Sequence, residues 1–406
     1  MTADTSTAQA PVARPLRELL THRPYWSWTL LVQLLNLPVM MAPIAFAGLA
    51  GGVAGAAKDG GVLVASLSLS NVVASGLAGR YADRTSGRRV PVLSASLIAL
   101  GLAGVLAGAL AHAPLPVLCV LCAVAGSGYA GLTGLTRTLL NRAVPERLVE
   151  QALAVRSTMV ELLVITAPLI ASAALFLFGW SGGIAVQVAA GAVLVLMLAF
   201  GRGTARPAPK AAAADSTAAA AGRERLWSPA FVAWIAVGFV FSNTLGAIET
   251  AALPLSQDLH GGAFGGGGIV ALLAVSSALA GLAYAAAADR LRGGPYLRAS
   301  LLVAVLGAMT VLIGQVGSWG ALVAALIVAG VCTAPLNTIQ SHAVEKVIPE
   351  SRRAEGFGWL FSGGGTGFAV SGLALSALPL RFALALPAVG CLITIVLLTV
   401  SRPRGR

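Results

Sequence analysis

Residues 182–201 read GGIAVQVAAGAVLVLMLAFG, and residues 203–224, just beyond them, read GTARPAPKAAAADSTAAAAGRE. The first stretch holds no charge, and as a helix of twenty residues it would extend about 30 Å, the hydrocarbon thickness of a bilayer. The second is rich in Ala and Thr, broken by Pro207 and Pro209 and charged at Lys210; such a composition buries nothing and reads as a linker. The boundary between them divides the chain. Before it lie apolar runs at about 25–49, 60–79, 90–111, 115–136, 152–177 and 182–201, and after it at about 229–255, 268–288, 297–315, 320–342, 357–378 and 382–400. Runs of this length without strand alternation predict helices, because backbone groups in lipid must be satisfied within their own segment. The expected fold is an all-α membrane protein with twelve transmembrane helices in two six-helix halves. The expected units are a tail 1–23, a half 24–202, a linker 203–228, a half 229–401 and a tail 402–406.

Composition agrees. Hydrophobic side chains make up 57% of the 406 residues and charged ones only 10%, with a mean hydropathy of +0.86. In water such a chain would expose apolar patches that drive association; lipid is its solvent. The net charge of +12 does not point to nucleic acid, since the basic residues form short clusters between apolar runs and no basic stripe with reading elements is present. Cys119, Cys122, Cys332 and Cys391 all sit in apolar runs. Cys119 and Cys122 lack the second pair and polar shell of a metal or redox site, so all four read as small hydrophobes and no metal or cofactor is expected. Residues 1–23 contain no apolar core of signal-peptide type.

If the runs alternate across the membrane, 24 of the 27 Lys and Arg fall on one side, Lys58 and Arg381 fall on the other, and Arg156 lies inside a span. Such asymmetry places both termini in the cytoplasm of a multi-pass cell-membrane protein. The halves also echo each other. Pro24 and Pro229 are 205 residues apart, Asn36 and Asn243 are 207 apart, Asp83-Arg84 and Asp289-Arg290 are 206 apart, and Pro145-Glu146 and Pro349-Glu350 are 204 apart. A constant offset at equivalent points is the trace of an internal repeat, and parallel repeats put a binding site between the halves near the midplane.

The loop after the second run reads Gly79-Arg80-Tyr81-Ala82-Asp83-Arg84-Thr85-Ser86-Gly87-Arg88-Arg89. It resembles the signature of the major facilitator superfamily between helices two and three: Gly, three residues, Asp-Arg, then Gly followed by basic residues. Thr85 and Ser86 stand between Arg84 and Gly87 where the usual pattern has one residue. The resemblance implies that Gly79, Asp83, Arg84, Gly87, Arg88 and Arg89, with the echo Asp289 and Arg290, latch the cytoplasmic ends of the two halves. Drug–proton antiporters of the family carry an Arg before a Gly-x-Gly in helix four; here Gly126-Ser127-Gly128 is present and Cys122 stands at the Arg position. Their fifth helix carries Gly-Pro, and here Ala167-Pro168 precedes Ala171 and Ser172, which still permit close packing.

Among the acidic residues only Glu161 and Glu249 lie well inside apolar runs. An ionised side chain there costs about 2.5–3.5 kcal/mol, so each carboxyl is expected to hold a proton while enclosed and to release it when its site opens to water. Arg156, about one and a half turns before Glu161, is a candidate partner or a snorkelling side chain. Gln33, Asn36, Asn71, Gln187, Asn243, Asn337 and Gln340 either line a cavity or join helices. Pro38, Pro43 and Pro254 are sites where gating helices bend. Gly363-Gly364-Gly365-Thr366-Gly367 lacks the Lys of a phosphate loop and reads as helix packing, whereas Gly265 to Gly268 read as an external turn. With no ATP motif, the energy source is an ion gradient, and no His/Asp/Ser constellation supports catalysis. The expectation is a monomeric, proton-coupled exporter of an amphipathic small molecule that works by alternating access, with proton-coupled uptake as the alternative and a non-transporting receptor as a remote third reading.

Overall fold

The computed structural model describes residues 18–53, 55–84, 89–133, 136, 139–140, 143–201, 226–287, 290, 293–349 and 352–402. Among them run helices α1 (Arg23–Val53), α2 (Gly60–Arg84), α3 (Arg89–Leu110), α4 (Leu115–Thr133), α5 (Val149–Phe178) and α6 (Gly182–Phe200). They are followed by α7 (Pro229–Asp258), α8 (Ala263–Ala287), α9 (Pro295–Ile313), α10 (Trp319–Val347), α11 (Arg353–Ala377) and α12 (Leu380–Val400). Local chemistry sets several starts: Ser228 caps α7 by accepting from the Phe231 N–H at 3.1 Å with Pro229 in the first turn, and Pro295 opens α9 after extended Gly294. Proline at the first helical position loses no hydrogen bond that the helix needs.

Nine stretches of described helix are long and apolar enough to cross a membrane, with Gln151–Phe200 counted as one although it holds both α5 and α6. The two helices outside that set are α2 and α11, which carry Ser66, Ser68, Ser70, Asn71 and Ser75, and the glycines 363–365 and 367. These two pack against each other, so one face of each is turned away from lipid and does not need apolar side chains. Elsewhere Leu100, Phe178, Phe200, Leu282 and Val400 stand exposed, as lipid contact requires. The protein is an all-α, multi-pass membrane protein.

The helix contacts repeat. In the first half α1 packs on α2, α5 and α6, α2 on α4, α3 on α4 and α6, and α5 on α6. In the second, α7 packs on α8, α11 and α12, α8 on α10, α9 on α10 and α12, and α11 on α12, which repeats the first scheme shifted by six helices, with α7 additionally meeting α9 and α10. Side chains repeat as well: a Cβ on Gly126 of α4 would run into the Leu67 carbonyl and Ser70 of α2, and a Cβ on Gly330 of α10 would meet the Leu273 carbonyl and Ser276 of α8. Close approach of helix backbones through glycine is how helices gain packing energy where lipid offers no hydrophobic drive. One core lies within the first half, around Phe46, Leu63, Ile98 and Leu132, and another, around Phe231, Trp234, Ile248 and Leu326, runs across to the first half through Met41 and Ile44 of α1 and Ala167 and Ala171 of α5.

Between the halves α2 meets α11 and α5 meets α8, again a symmetric pair. A Cβ on Gly61 would strike the Gly372 carbonyl, and one on Gly267 would lie 2.7 Å from the Pro168 carbonyl. The Gly267 N–H also donates to Ser172 Oγ at 2.9 Å, and Phe176 packs on Phe264 with ring centroids 5.2 Å apart. These crossings lie toward the ends of α5 and α11 and the starts of α2 and α8, here termed the far face; α6 ends and α7 begins at the opposite, linker face. Gly265 to Gly268, expected as a turn, instead belong to the opening turns of α8, because glycine is what lets α8 approach α5 and α7. Every glycine contact across the halves made by described residues lies between the far face and mid-depth, where Gly365 meets Val72.

Candidate functional site

Glu249 continues a stripe on α7. Phe241, Leu245 and Glu249 recur every four residues and share one helix face, and that face borders a cavity of about 120 Å³. Val270, Leu273, Ala274 and Ser277 of α8 form a second wall, and Thr333, Ala334 and Asn337 of α10 a third. The first half closes the cavity with Glu161 and Val164 of α5. Glu161 lies in the central part of α5, and the lining residues of α7, α8 and α10 likewise fall in the middle stretches of their helices, so the cavity sits near mid-depth. Two carboxylates from different halves therefore face one space. Glu161 and Asn337 are exposed to it and Glu249 is half-buried.

The other candidates are placed differently. Gln33 on α1 donates through Nε2 to the Met159 carbonyl of α5 at 2.8 Å. Gln187 on α6 donates to the Pro38 carbonyl of α1 at 2.8 Å. Asn243 on α7 donates to the Gly367 carbonyl of α11 at 2.9 Å, and Gln340 on α10 to the Trp234 carbonyl of α7 at 3.0 Å. All four join neighbouring helices within one half and none lines the cavity. Asn36 is half-buried on α1, also away from the lining, so the repeat pair Asn36 and Asn243 does not converge on one site.

Arg156 does not pair with Glu161. Its guanidinium lies over the Trp28 ring, 5.9 Å from the centroid, a cation–π contact, and the ion pairs among the described residues are Arg147 with Glu18 and Arg352 with Glu355. The spacing explains this, since residues five apart point to different helix faces whereas three or four apart would align. Near it, Trp28 Nε1 donates to the Thr136 carbonyl at 2.8 Å and the Tyr25 hydroxyl to the Ala152 carbonyl at 3.2 Å. These bonds fasten the linker-face ends of the first half.

For the expected latch, Gly79, Asp83 and Arg84 fall in the last turns of α2, with the side chains of Asp83 and Arg84 outside the described set. Gly87, Arg88 and Asp289 lie outside the described residues, while Arg89 at the start of α3 and Arg290 are exposed. Cys122, at the position where antiporters carry Arg, is buried and brings no charge to the site. Sequence reading missed Phe241, Leu245, Ser277 and Thr333; the signal for the first two was their four-residue spacing to Glu249, and for Thr333 its place one turn before Asn337. No group of three or more His, Cys, Asp or Glu able to hold a metal occurs among the described residues.

Comparison with individual curated proteins by sequence gives no match. Solved structures are similar in fold: the nucleoside transporter NupG, at 17% identity and a TM-score of 0.71 over 94% of this chain and 100% of that one, and a bacterial homolog of the human lysosomal transporter Spinster in an inward-facing, unoccupied conformation, at 16% and 0.68 over 96% of each. A POT family transporter in complex with 5-aminolevulinic acid matches at 14% identity and 0.68 over 95% of each chain. The sequence model of the Major Facilitator Superfamily matches residues 29–317 and 244–406. It reaches the superfamily and no finer division. Two helical halves with repeated contacts, a mid-depth cavity between them and a profile match across nearly the whole length lead to one conclusion: the chain belongs to the major facilitator superfamily and is a secondary transporter of small molecules, not an enzyme.

Proposed function

We propose that this chain carries a small organic solute across the cell membrane in step with protons, using twelve spans in a six-plus-six arrangement. The observation that carries the reading is the cavity shared by Glu161 and Glu249. The carboxyls belong to different halves, so a rocking motion of one half against the other changes what each faces, and a proton held while enclosed is released on exposure. One chain completes the cavity, which supports a monomer as the working unit. The arginine distribution supports termini and linker in the cytoplasm. With that orientation the glycine crossings close the external face, and the latch of Gly79, Asp83, Arg84, Gly87, Arg88, Arg89, Asp289 and Arg290 acts in the opposite, outward-facing state.

Uptake by symport is the direction we favour, since neighbours of the same fold are described as nucleoside and peptide transporters. Export by proton exchange retains one supporting feature, the apolar wall of Phe241, Leu245, Val270 and Leu273, which suits an amphipathic cargo. A panel of solutes added to lightly buffered suspensions of cells expressing the chain tests both. In de-energised cells with solute added outside, symport alkalinises the medium as solute enters, whereas exchange, driven backwards by the solute gradient, acidifies it. Solute flux in proteoliposomes that persists unchanged when the pH gradient is collapsed would reject proton coupling altogether.

A further inference from the structure

The cavity has a charge balance that the proposed transport does not by itself explain. Two carboxylates face it, and no Lys, Arg or His is among its lining residues. Arg156, five residues from Glu161 on α5, lies over the Trp28 ring, and His342 and Lys346 of α10 stand outside the lining. The remaining surface is apolar or neutral, with Phe241 on one wall and the hydrogen-bonding groups of Ser277 and Asn337 on the others. In so confined a space with low-dielectric walls, negative charges are poorly screened and interact more strongly than at a surface. An anionic solute entering here would meet like charge with nothing to compensate it, whereas a positive group would find two partners and an aromatic face able to receive it.

We infer that the substrate carries a positive charge: a compact organic amine or quaternary ammonium with an apolar body, its cationic centre held between Glu161 of the first half and Glu249 of the second, one of them ionised while the other carries the coupled proton. The volume of about 120 Å³ suits a compact charged head group at the two carboxyls. Because the carboxylates are in different halves, the cation ties the halves together around itself, and its release loosens that tie. Hydrogen bonds from Asn337 and Ser277 select among amines by their remaining polar groups. This assignment rests on the cavity being the transport site.

The test uses the purified full chain in detergent and three ligands built on one benzyl group: benzyltrimethylammonium, benzyl alcohol and phenylacetate. Equilibrium titration is expected to give saturable binding of the cation, about tenfold or more tighter than the neutral and anionic ligands. Glu161→Gln and Glu249→Gln are each expected to weaken the cation alone, and Glu161→Asp, which keeps the charge, to retain most of the affinity. Thermal unfolding of each variant at the wild-type temperature shows that the loss is not one of folding. Equal binding of the three ligands, preference for phenylacetate, or no saturable binding of any overturns the inference. The transport reading fails separately: cation binding without pH-driven flux in proteoliposomes removes transport and leaves the charge assignment, while proton-linked flux of solutes that ignores charge does the reverse.

Discussion

Glu161 and Glu249 both line the cavity, and a single-atom change at either is expected to have the largest functional effect. Replacing either by Gln keeps the shape of the cavity and removes its ability to take up and release a proton. In proteoliposomes with an imposed pH gradient, uphill flux is expected to fall about 5- to 150-fold, the range of a site-to-site coupling energy, while exchange of solute between equal pools is kept once the solute is raised enough to offset its weaker binding. Unchanged uphill flux in both variants would remove these carboxyls from the coupling step. Asn243 and Gln340 should behave in the opposite way. Each joins helices through one amide–carbonyl bond, so Asn243→Ala and Gln340→Ala are expected to cost about 0.6–2 kcal/mol of stability, read as earlier thermal unfolding in detergent, with proton-linked flux kept. At this scale the sequence showed which residues were costly to bury but not their use. Asn337 and Gln340 are one turn apart on α10, yet one faces the cavity and the other is buried against α7; only the packing of neighbouring helices separates them.

The helices act through their glycine crossings. Gly61 against Gly372 and Gly267 against Pro168 bring α2 to α11 and α5 to α8 so closely that a side chain at either glycine has no room. Small residues of this kind let two backbones touch and separate without side chains to disentangle. Gly61→Leu and Gly267→Leu are expected to prop the far face open. In a cysteine-free background carrying Ser277→Cys, a membrane-impermeant maleimide applied from that side should label the cavity in either variant and leave the parent largely unlabelled; equal labelling would show that these contacts do not form the closure. The small residues Ala167, Ala171 and Ser172 of α5 were legible as a packing surface, and Ser172 does meet Gly267. The run Gly265 to Gly268 misled for a physical reason. Consecutive glycines in water favour turns, but beside another helix the same lack of a side chain permits contact, and a sequence does not state which neighbour is present.

For the molecule as a whole, alternating arginine clusters and a repeated contact scheme give a testable topology. In the same cysteine-free background, Lys210→Cys in the linker is expected to react with impermeant maleimide only after cells are permeabilised, and Lys58→Cys between α1 and α2 to react in intact cells. Reversal of the two would invert the direction of every step proposed above. The repeat was visible as offsets near 205 residues between prolines, asparagines and acid–base pairs; the structure extends it to Gly126 with Leu67 and Gly330 with Leu273, positions that carry no polar signal from which a repeat could be read.

Burial is a bulk property, and it is why the amino-acid sequence alone was enough to establish a multi-pass helical membrane protein and to point to two related halves: twenty apolar residues in a row admit few alternatives, and Lys and Arg mark where the chain leaves lipid. Which polar side chains meet was settled only by tertiary structure. Helices far apart in the chain bring Glu161 and Glu249 to one cavity, turn Asn243 and Gln340 into joints between neighbours, and lay Arg156 on Trp28. Rotation of each helix about its axis is fixed by the small residues it packs against, and that information is shared between segments and carried by none of them singly.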